Sequence, residues 1–166
     1  MDGAPATNET SAFTPVGSNW RLFRMNPQGI SEGWPELAVH LREIPSADGR
    51  PITEDMMQCM LSNLLSGVYV LWIVTDLELR VRGALLGAPQ LLASSSSAVF
   101  CVEGAWSSMG FDAQVYEEIL THVSAYAKSK GCMALLAHVA SSAFAQRLCA
   151  AGMFQQLPVT TLWRQL

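Results

Sequence analysis

The apolar run Val68–Thr75 constrains the fold of this chain more than any other segment. Its eight residues, VYVLWIVT, include no charged side chain and do not alternate between apolar and polar positions. Such a run predicts a strand that is buried on both faces. Asp76–Glu78 forms a short connection to a second predicted strand, Leu79–Leu86, so we expect the two strands to be antiparallel neighbours.

Two helices are predicted on the N-terminal side of this strand. Pro35, at a first helical position, starts a helix that runs to Glu43 and is closed by Pro45. Thr53 can cap a second helix that ends at Gly67 and carries a methionine-rich apolar face. That face is typical of core packing, with a docking groove as the alternative.

The C-terminal half continues the alternation of helices and strands. Asp112 caps a long amphipathic helix, and Gly131 supplies the left-handed residue expected at its end. The other predicted features are a turn at Gly87–Pro89, an exposed loop at Ser94–Ser97, a strand at Cys132–Val139, a helix from Ser141 or Ser142 through Ala151 that Gly152 ends, and a last strand at Val159–Trp163.

Composition favours one domain and argues against two kinds of partner. The chain has 166 residues, of which 50% are hydrophobic and 14% charged, which suits a single domain with a sizeable core. Its net charge is −4 and its ten Lys and Arg residues are scattered, so we expect no direct binding to nucleic acid. No apolar run reaches the length of a membrane span and no signal-peptide pattern is visible, so we expect no membrane partner.

Cysteine, histidine and tyrosine residues suggest no site by their spacing. The four cysteines form no C-x-x-C pair and are predicted to be reduced core residues of a cytosolic product, with no metal site: Cys59, Cys101, Cys132 and Cys149. His122 and His138 stand apart from any Asp or Ser at triad spacing, so we predict core or surface histidines. Tyr116 is predicted to be a packing residue.

The first 19 residues form a separate zone by composition. Met1–Asn19 is rich in Ala, Thr, Ser, Asn, Gly and Pro, and such a segment cannot bury enough surface to offset its ordering entropy. We therefore expect an extended N-terminal arm over residues 1–19, and a single domain over residues 20–166. A neighbouring subunit or partner protein would hold the arm, with Phe13, Val16 and Trp20 as the partner-binding residues.

The turn Ser107–Asp112 follows a predicted strand and opens the long helix, which is the setting of an anion-binding turn. Its composition is poor for that task. It contains one glycine, Gly110, no Lys or Arg lies between Gly104 and Ala113, and Asp112 places a carboxylate at the N-cap. An ordinary capped helix start is one interpretation. A degenerate cofactor loop is the other, formed by Ser107, Ser108, Met109, Gly110 and Phe111.

Four of these segments, in this order, resemble the GNAT acetyltransferase fold. They are the strand Val99–Glu103, the turn Ser107–Asp112, the helix to Gly131 and the segment Phe144–Phe154, which reads FAQRLCAAGMF. The resemblance covers about residues 20–166. It implies an α/β fold class, with a mixed, mainly antiparallel central sheet that is flanked by helices and follows the extended N-terminal arm.

A narrower likeness is to GNAT-like proteins encoded among the virion genes of tailed bacteriophages. It rests on Trp34-Pro35, Thr53-Glu54-Asp55, Leu71-Trp72, the helix end at Gly131-Cys132 and the closing helix Phe144–Gly152. The likeness implies that the protein is made in a host bacterial cytoplasm and becomes part of a virion.

Three positions decide between activity and its loss. Family members that bind acetyl-coenzyme A read Arg or Gln, two residues, Gly, one residue, then Gly or Ala; here Ser107 and Asp112 stand at the ends, and Gly110 alone matches. Leu148 stands where many members have a Tyr that protonates the leaving thiolate. The resemblance makes Glu103 the candidate base, directly or through a water, with a solvated strand end as the alternative.

Two functions are therefore open. The first is a non-catalytic GNAT-like structural or assembly component of a tailed-bacteriophage virion. It would have no cofactor, would join an oligomeric assembly and would contact other virion subunits partly through the arm. The second is an acetyl-coenzyme-A-dependent N-acetyltransferase with an atypical cofactor loop, which would use Glu103 as the base and main-chain N–H groups of Met109–Phe111 for the pyrophosphate. The turn has one glycine, no basic residue and a carboxylate at the N-cap, which favours the first function. The resemblance in fold does not outweigh this, because a fold alone does not establish activity.

Overall fold

The computed structural model describes residues 13–44, 51–92, 97–139 and 142–157. Within these ranges, six strands form one sheet through the middle of the molecule, and they lie side by side in chain order. The strands are β1 Phe13–Val16, β2 Trp20–Arg24, β3 Val70–Thr75, β4 Val81–Leu92, β5 Ser97–Ser107 and β6 Ala134–Ala137. All neighbours are antiparallel except β5 and β6, which are parallel. The predicted mixed, mainly antiparallel sheet is confirmed.

Helices cover both faces of the sheet and create a core on each. They are α1 Pro27–Leu41, α2 Glu54–Leu65, α3 Ala113–Ser129 and α4 Ser142–Ala150. The α3 side buries Phe100 and Val123, and the α1–α2 side buries Leu41 and Leu64. All six residues of β3 are buried, with Trp72 on the α3 side, so this strand is buried on both faces as its apolar run predicts.

The local signals of α2 and α3 are confirmed. Thr53 Oγ1 accepts from the Met56 N–H at 3.3 Å, and Asp112 Oδ1 accepts from the Val115 N–H at 2.9 Å, so each residue is the cap that its side chain predicts. Gly67, Gly131 and Gly152 all have φ between +72° and +77° just beyond a helix, where a side chain would be strained. No helix in the described ranges is long and apolar enough to cross a bilayer.

The prediction for the first helix is wrong at its start. Asn26 caps α1 by accepting from the Gly29 N–H at 2.7 Å, and Pro27 occupies the first turn, so Pro35 lies inside the helix. A proline there removes one main-chain hydrogen bond. Burial of Ile30 and Leu37 on the same helix face opposes that loss.

The predicted turn at Gly87–Pro89 is also wrong, because β4 continues through it to Leu92. The register between β4 and β5 shifts at Leu86/Gly87, which is the local irregularity that a glycine permits. A Cβ on Gly87 would lie 2.6 Å from the Cys101 carbonyl oxygen and would overlap the Phe100 ring. Glycine is needed there for a close approach between two strands.

The predicted domain boundary at residue 20 is wrong as well. β1 pairs with β2 from Phe13↔Phe23 to Val16↔Trp20, so the sheet begins within the segment assigned to an arm. The Gly17 N–H also donates to Glu118 of α3, which fixes the connection between these strands. Residues 1–12 of the expected arm lie outside the described residues, as do Ser94–Ser96, Ser141 and the last predicted strand, Val159–Trp163.

Candidate functional site

A cavity opens where β5 runs on past the end of β6. The parallel pairing covers Val99–Val102 of β5, whereas β5 continues to Ser107. Beyond Val102, no strand of the described residues pairs with the β6-facing side of β5. The cavity has a volume of about 600 Å³ and is lined by this free stretch of β5 together with side chains of α3 and α4. Its size lies within the range of small-molecule sites.

Glu103 occupies a β-bulge in the wall of this cavity. Leu86 pairs with Gly104 and Gly87 with Val102, so Glu103 has no partner across the β4–β5 ladder. Its side chain is half-buried and lines the cavity, and Gln90 Nε2 donates to its Oε1. The sequence-predicted candidate base therefore lies in a cleft and is held by a neighbouring strand.

Helix α1 closes the other side of this stretch of β5. Ile44, just beyond the helix, packs so tightly on Gly104 that a side chain there would collide with it. His40 of α1 stacks on Trp106, with ring centroids 4.7 Å apart, and Trp106 also lines the cavity. Of Ile44, His40 and Trp106, Trp106 lines the cavity, and the other two pack on the stretch of β5 that forms its wall.

A thiol and an imidazole meet the Glu103 carboxylate. The ligand atoms of Cys101, Glu103 and His138 all lie within 4.8 Å of one another. Burial, the negative charge of Glu103 and a hydrogen bond between thiol and carboxylate raise the pKa of Cys101 to about 12. Burial, and next the charge of Glu103, also raise the pKa of Tyr69. The spacing of these residues in the sequence predicts no metal site and an isolated His138. It misses the cluster because the pairing of β5 with β6 is what brings His138 next to Cys101 and Glu103.

The turn after β5 divides its polar groups between structure and solvent. The Ser108 N–H donates to the Arg82 carbonyl oxygen at 2.9 Å, so it is not available to a ligand. Met109 is about half exposed, and a Cβ on Gly110 would meet nothing within 4 Å. Within the described ranges, the N–H groups of Met109, Gly110 and Phe111 donate to no protein acceptor.

Phe111 and Tyr116 connect this turn to the cavity. The Phe111 ring packs edge-on against Trp20 at 5.1 Å and against Tyr116 at 5.7 Å, and Tyr116 packs in turn on Phe144 of α4. Phe111 and Tyr116 line the cavity together with Arg147 of α4. Of the five predicted loop residues, Ser107, Gly110 and Phe111 line it, whereas Ser108 and Met109 do not.

Solved structures of acetyltransferases share this architecture. Aminoglycoside N-acetyltransferase AAC(6')-Iy in complex with CoA matches with a TM-score of 0.67 and 18% identity, covering 92% of this chain and 98% of that one. AAC(6')-Ih from Acinetobacter baumannii matches with a TM-score of 0.64 and 14% identity, covering 89% and 99%. Glucosamine-6-phosphate N-acetyltransferase from Arabidopsis thaliana matches with a TM-score of 0.59 and 11% identity, covering 89% and 100%.

This chain has the GNAT fold. The likeness at these identities establishes the fold alone, and no family model and no curated protein matches the sequence. Within the GNAT fold, Leu148 of α4 is buried and lines the cavity, so an apolar side chain stands where the resemblance expects a phenol. Asp112 is engaged as the cap of α3, which agrees with the sequence interpretation of the turn.

The proposed partner-binding residues belong mostly to the GNAT domain itself. Val16 is fully buried in the core on the α3 side, so it cannot contact a partner, and this prediction is wrong. Trp20 is half-buried against the same core. Phe13 is 52% exposed, with Arg21 over its ring and Phe23 beside it. Low apolar content in the surrounding residues concealed the strand.

Proposed function

We propose that this protein is an acetyl-coenzyme-A-dependent N-acetyltransferase with an atypical cofactor turn, in which Glu103 is the general base. The main support is the position of Glu103. It is half-buried in a β-bulge and lines the wall of a cavity beside the unpaired stretch of β5. A carboxylate in a cleft that could hold a substrate is a candidate for catalysis.

The reaction requires a base at this place. The nitrogen of an acceptor amine attacks the carbonyl carbon of the thioester, the C–S bond breaks and coenzyme A leaves as a thiolate. An amine that is protonated at neutral pH cannot attack, so its proton passes to Glu103 directly or through one water. Gln90 donates to one oxygen of this carboxylate, and the residue lines the cavity.

Coenzyme binding is supported by the fold and weakened by the turn. The solved neighbours include an enzyme in complex with CoA and with a CoA bisubstrate analogue, so the expectation of no cofactor is not supported. The open N–H groups of Met109, Gly110 and Phe111 are suited to a pyrophosphate. Asp112 opposes it, because its carboxylate already caps α3 and repels a second negative charge.

The thiolate that leaves needs a proton, and Leu148 has none to donate. Tyr116 is the cavity-lining phenol that we assign to this step. It enters the cavity from α3 rather than α4, so the donor would approach from a different wall than the resemblance implies.

The test is amine-dependent release of free thiol from acetyl-coenzyme A, measured over a panel of aminoglycosides, amino sugars, polyamines and lysine peptides. Glu103→Gln is expected to lower kcat by about 10²–10⁴ without weakening coenzyme binding, and Tyr116→Phe to lower it less. Glu117→Gln, an exposed carboxylate on α3, is the matched control and should keep the wild-type rate. A Glu103→Gln enzyme with full activity would refute the proposed base.

A second candidate is the non-catalytic scaffold. The engaged cap at Asp112 and the apolar Leu148 favour it, because both are departures from acetyl-transfer chemistry. On this reading the chain is a virion component that contacts other virion subunits, which stays a prediction from sequence resemblance. Absence of both coenzyme binding and thiol release across the panel would favour this scaffold over the transferase.

A further inference from the structure

The cluster of Cys101, Glu103 and His138 differs from the other titratable groups of the described residues. It combines a sulfur, a carboxylate oxygen and an imidazole nitrogen, all within 4.8 Å of one another. The Asp76 carboxylate, by contrast, faces Arg80, Arg82 and the Glu78 N–H. No cation of the described residues is paired with Glu103 in this way.

We propose that these three side chains form a binding site for a single Zn²⁺ ion. Cysteine, histidine and a carboxylate are the ligands that zinc takes, and three protein ligands with one open position is a common zinc arrangement. Mg²⁺ and Ca²⁺ prefer all-oxygen sites, which a thiol and an imidazole do not provide. Zinc is therefore the divalent cation that fits this donor set, and it would bind Cys101 as the thiolate, so that the thiol proton is released to solvent as the Zn–S bond forms.

The main chain already sets the three ligands in place. Cys101 and Glu103 are two residues apart on β5, and the parallel register puts Ala137 opposite Val102. The next residue, His138, donates its N–H to the Val102 carbonyl oxygen at 3.5 Å, which brings its ring to the bulge. Tetrahedral zinc holds its ligands about 3.5 Å apart, so a side-chain adjustment of about 1 Å completes the site. His138 is exposed and free to make it.

The three ligands differ in burial, which indicates from which side an ion can enter the site. Cys101 is buried, Glu103 half-buried and His138 exposed, so the ion enters from the His138 side and the fourth position faces the cavity. A water can fill that position. Zinc bound to Glu103 would withdraw the carboxylate from proton transfer, so the site would inhibit acetyl transfer reversibly. Only this consequence for turnover rests on the proposed function.

Cobalt(II) titration of the reduced, chelator-treated full-length protein tests binding without any turnover. One equivalent of Co²⁺ is expected to give a thiolate-to-metal charge-transfer band and visible bands of a tetrahedral ion, both abolished by one equivalent of Zn²⁺. Cys101→Ser should remove the charge-transfer band. His138→Ala should weaken Zn²⁺ binding at least about tenfold by calorimetry. The controls Cys59→Ser and His122→Ala should leave both signals unchanged.

Because Cys101 is buried, His138→Ala at an exposed position decides the matter if Cys101→Ser fails to fold in thermal melts. A charge-transfer band that is absent from the wild type, that survives Cys101→Ser, or that disappears in Cys59→Ser would overturn the site. If transfer activity is found, Zn²⁺ should inhibit it and a chelator should restore it, with inhibition lost in His138→Ala. Cobalt binding without any transfer would sustain the metal site and count against the proposed function alone.

Discussion

At the scale of single residues, the Glu103 carboxylate adds to the pKa shifts of two neighbours. Its charge raises the pKa of both Cys101 and Tyr69, although burial is the larger cause in each case. Both neighbours therefore stay protonated at neutral pH. Neither the thiol nor the phenol can then act as the base, which leaves the Glu103 carboxylate and the His138 imidazole as the proton acceptors of this cluster.

A thiol with a pKa of about 12 should be unreactive in the folded protein. At pH ~8.5 the exposed Cys59 should alkylate with iodoacetamide while the buried Cys101 does not, since the thiolate is the nucleophile and the pKa of Cys101 is raised. Glu103→Gln removes a negative charge, so the pKa of Cys101 should fall and its alkylation should accelerate. Peptide mass spectrometry over a pH series measures both. Equal reaction of Cys59 and Cys101 in the wild type would contradict the assigned environment.

At the scale of residues, the sequence placed Glu103 at the end of its strand, and its role as a base stays a prediction, whereas the groups around it were not predicted. The strand and turn around Glu103 are local signals, and a resemblance built on them identified the candidate base. Cys101 and His138 are 37 positions apart, and only the parallel β5–β6 register brings them together. A Cys and a Glu two residues apart on one strand was the available hint, but it did not identify the histidine.

At the scale of elements, the β-bulge is what exposes Glu103 to the cavity. It depends on Gly87, which lets β4 and β5 approach where the register shifts. Gly104 likewise lacks a side chain where Ile44 packs against the backbone of β5. The geometry of the site is thus fixed by two glycines whose side-chain space is filled by neighbours.

Gly87→Ala should destabilise the fold by about 1–3 kcal/mol, because the new methyl group collides with the Phe100 ring and the Cys101 carbonyl oxygen. Gly110→Ala is the matched control. No atom lies within 4 Å of its Cβ position, so the change in unfolding free energy should stay within about 0.5 kcal/mol. Urea denaturation followed by circular dichroism measures both variants. Similar values for the two would show that β4 and β5 do not approach closely at Gly87.

Elements with strong end signals were predictable and those with conflicting signals were not. Thr53, Asp112 and the glycines after each helix gave the ends of α2 and α3 correctly. Asn26-Pro27 is an equally good helix start, but Gly29 and Pro35 follow within the first nine residues and both disfavour helix. Long-range burial of Ile30 and Leu37 resolves that conflict, and burial is invisible in a local pattern.

At the scale of the whole molecule, the described part of the domain includes β1 and so extends to the N-terminal side of Trp20. The polar composition before residue 20 concealed a strand that contributes one buried side chain, Val16, and one tilted ring contact, Phe13 to Phe23. The pairing partner of β1 is close in sequence, yet the core that covers Val16 comes from α3, about a hundred residues later.

Val16→Ala should lower the unfolding free energy by about 2 kcal/mol, because it leaves a cavity beneath α3. Phe13→Ala removes a ring that is 52% exposed and should cost less than about 1 kcal/mol. Thermal and urea unfolding of the two variants provide the comparison. If Val16→Ala proved neutral, β1 would not be part of the folded domain and the arm boundary at residue 20 would be restored.

Calorimetric titration with acetyl-coenzyme A tests the central claim, that this GNAT fold retains a coenzyme site beside Glu103. We expect saturable one-to-one binding with a Kd below about 1 mM, equivalent to at least about 4 kcal/mol. Asp112→Gly should tighten it, since the opposing carboxylate is lost while a glycine cap costs the helix only a few tenths of a kcal/mol. The absence of saturable heat in both the wild type and Asp112→Gly would contradict the account.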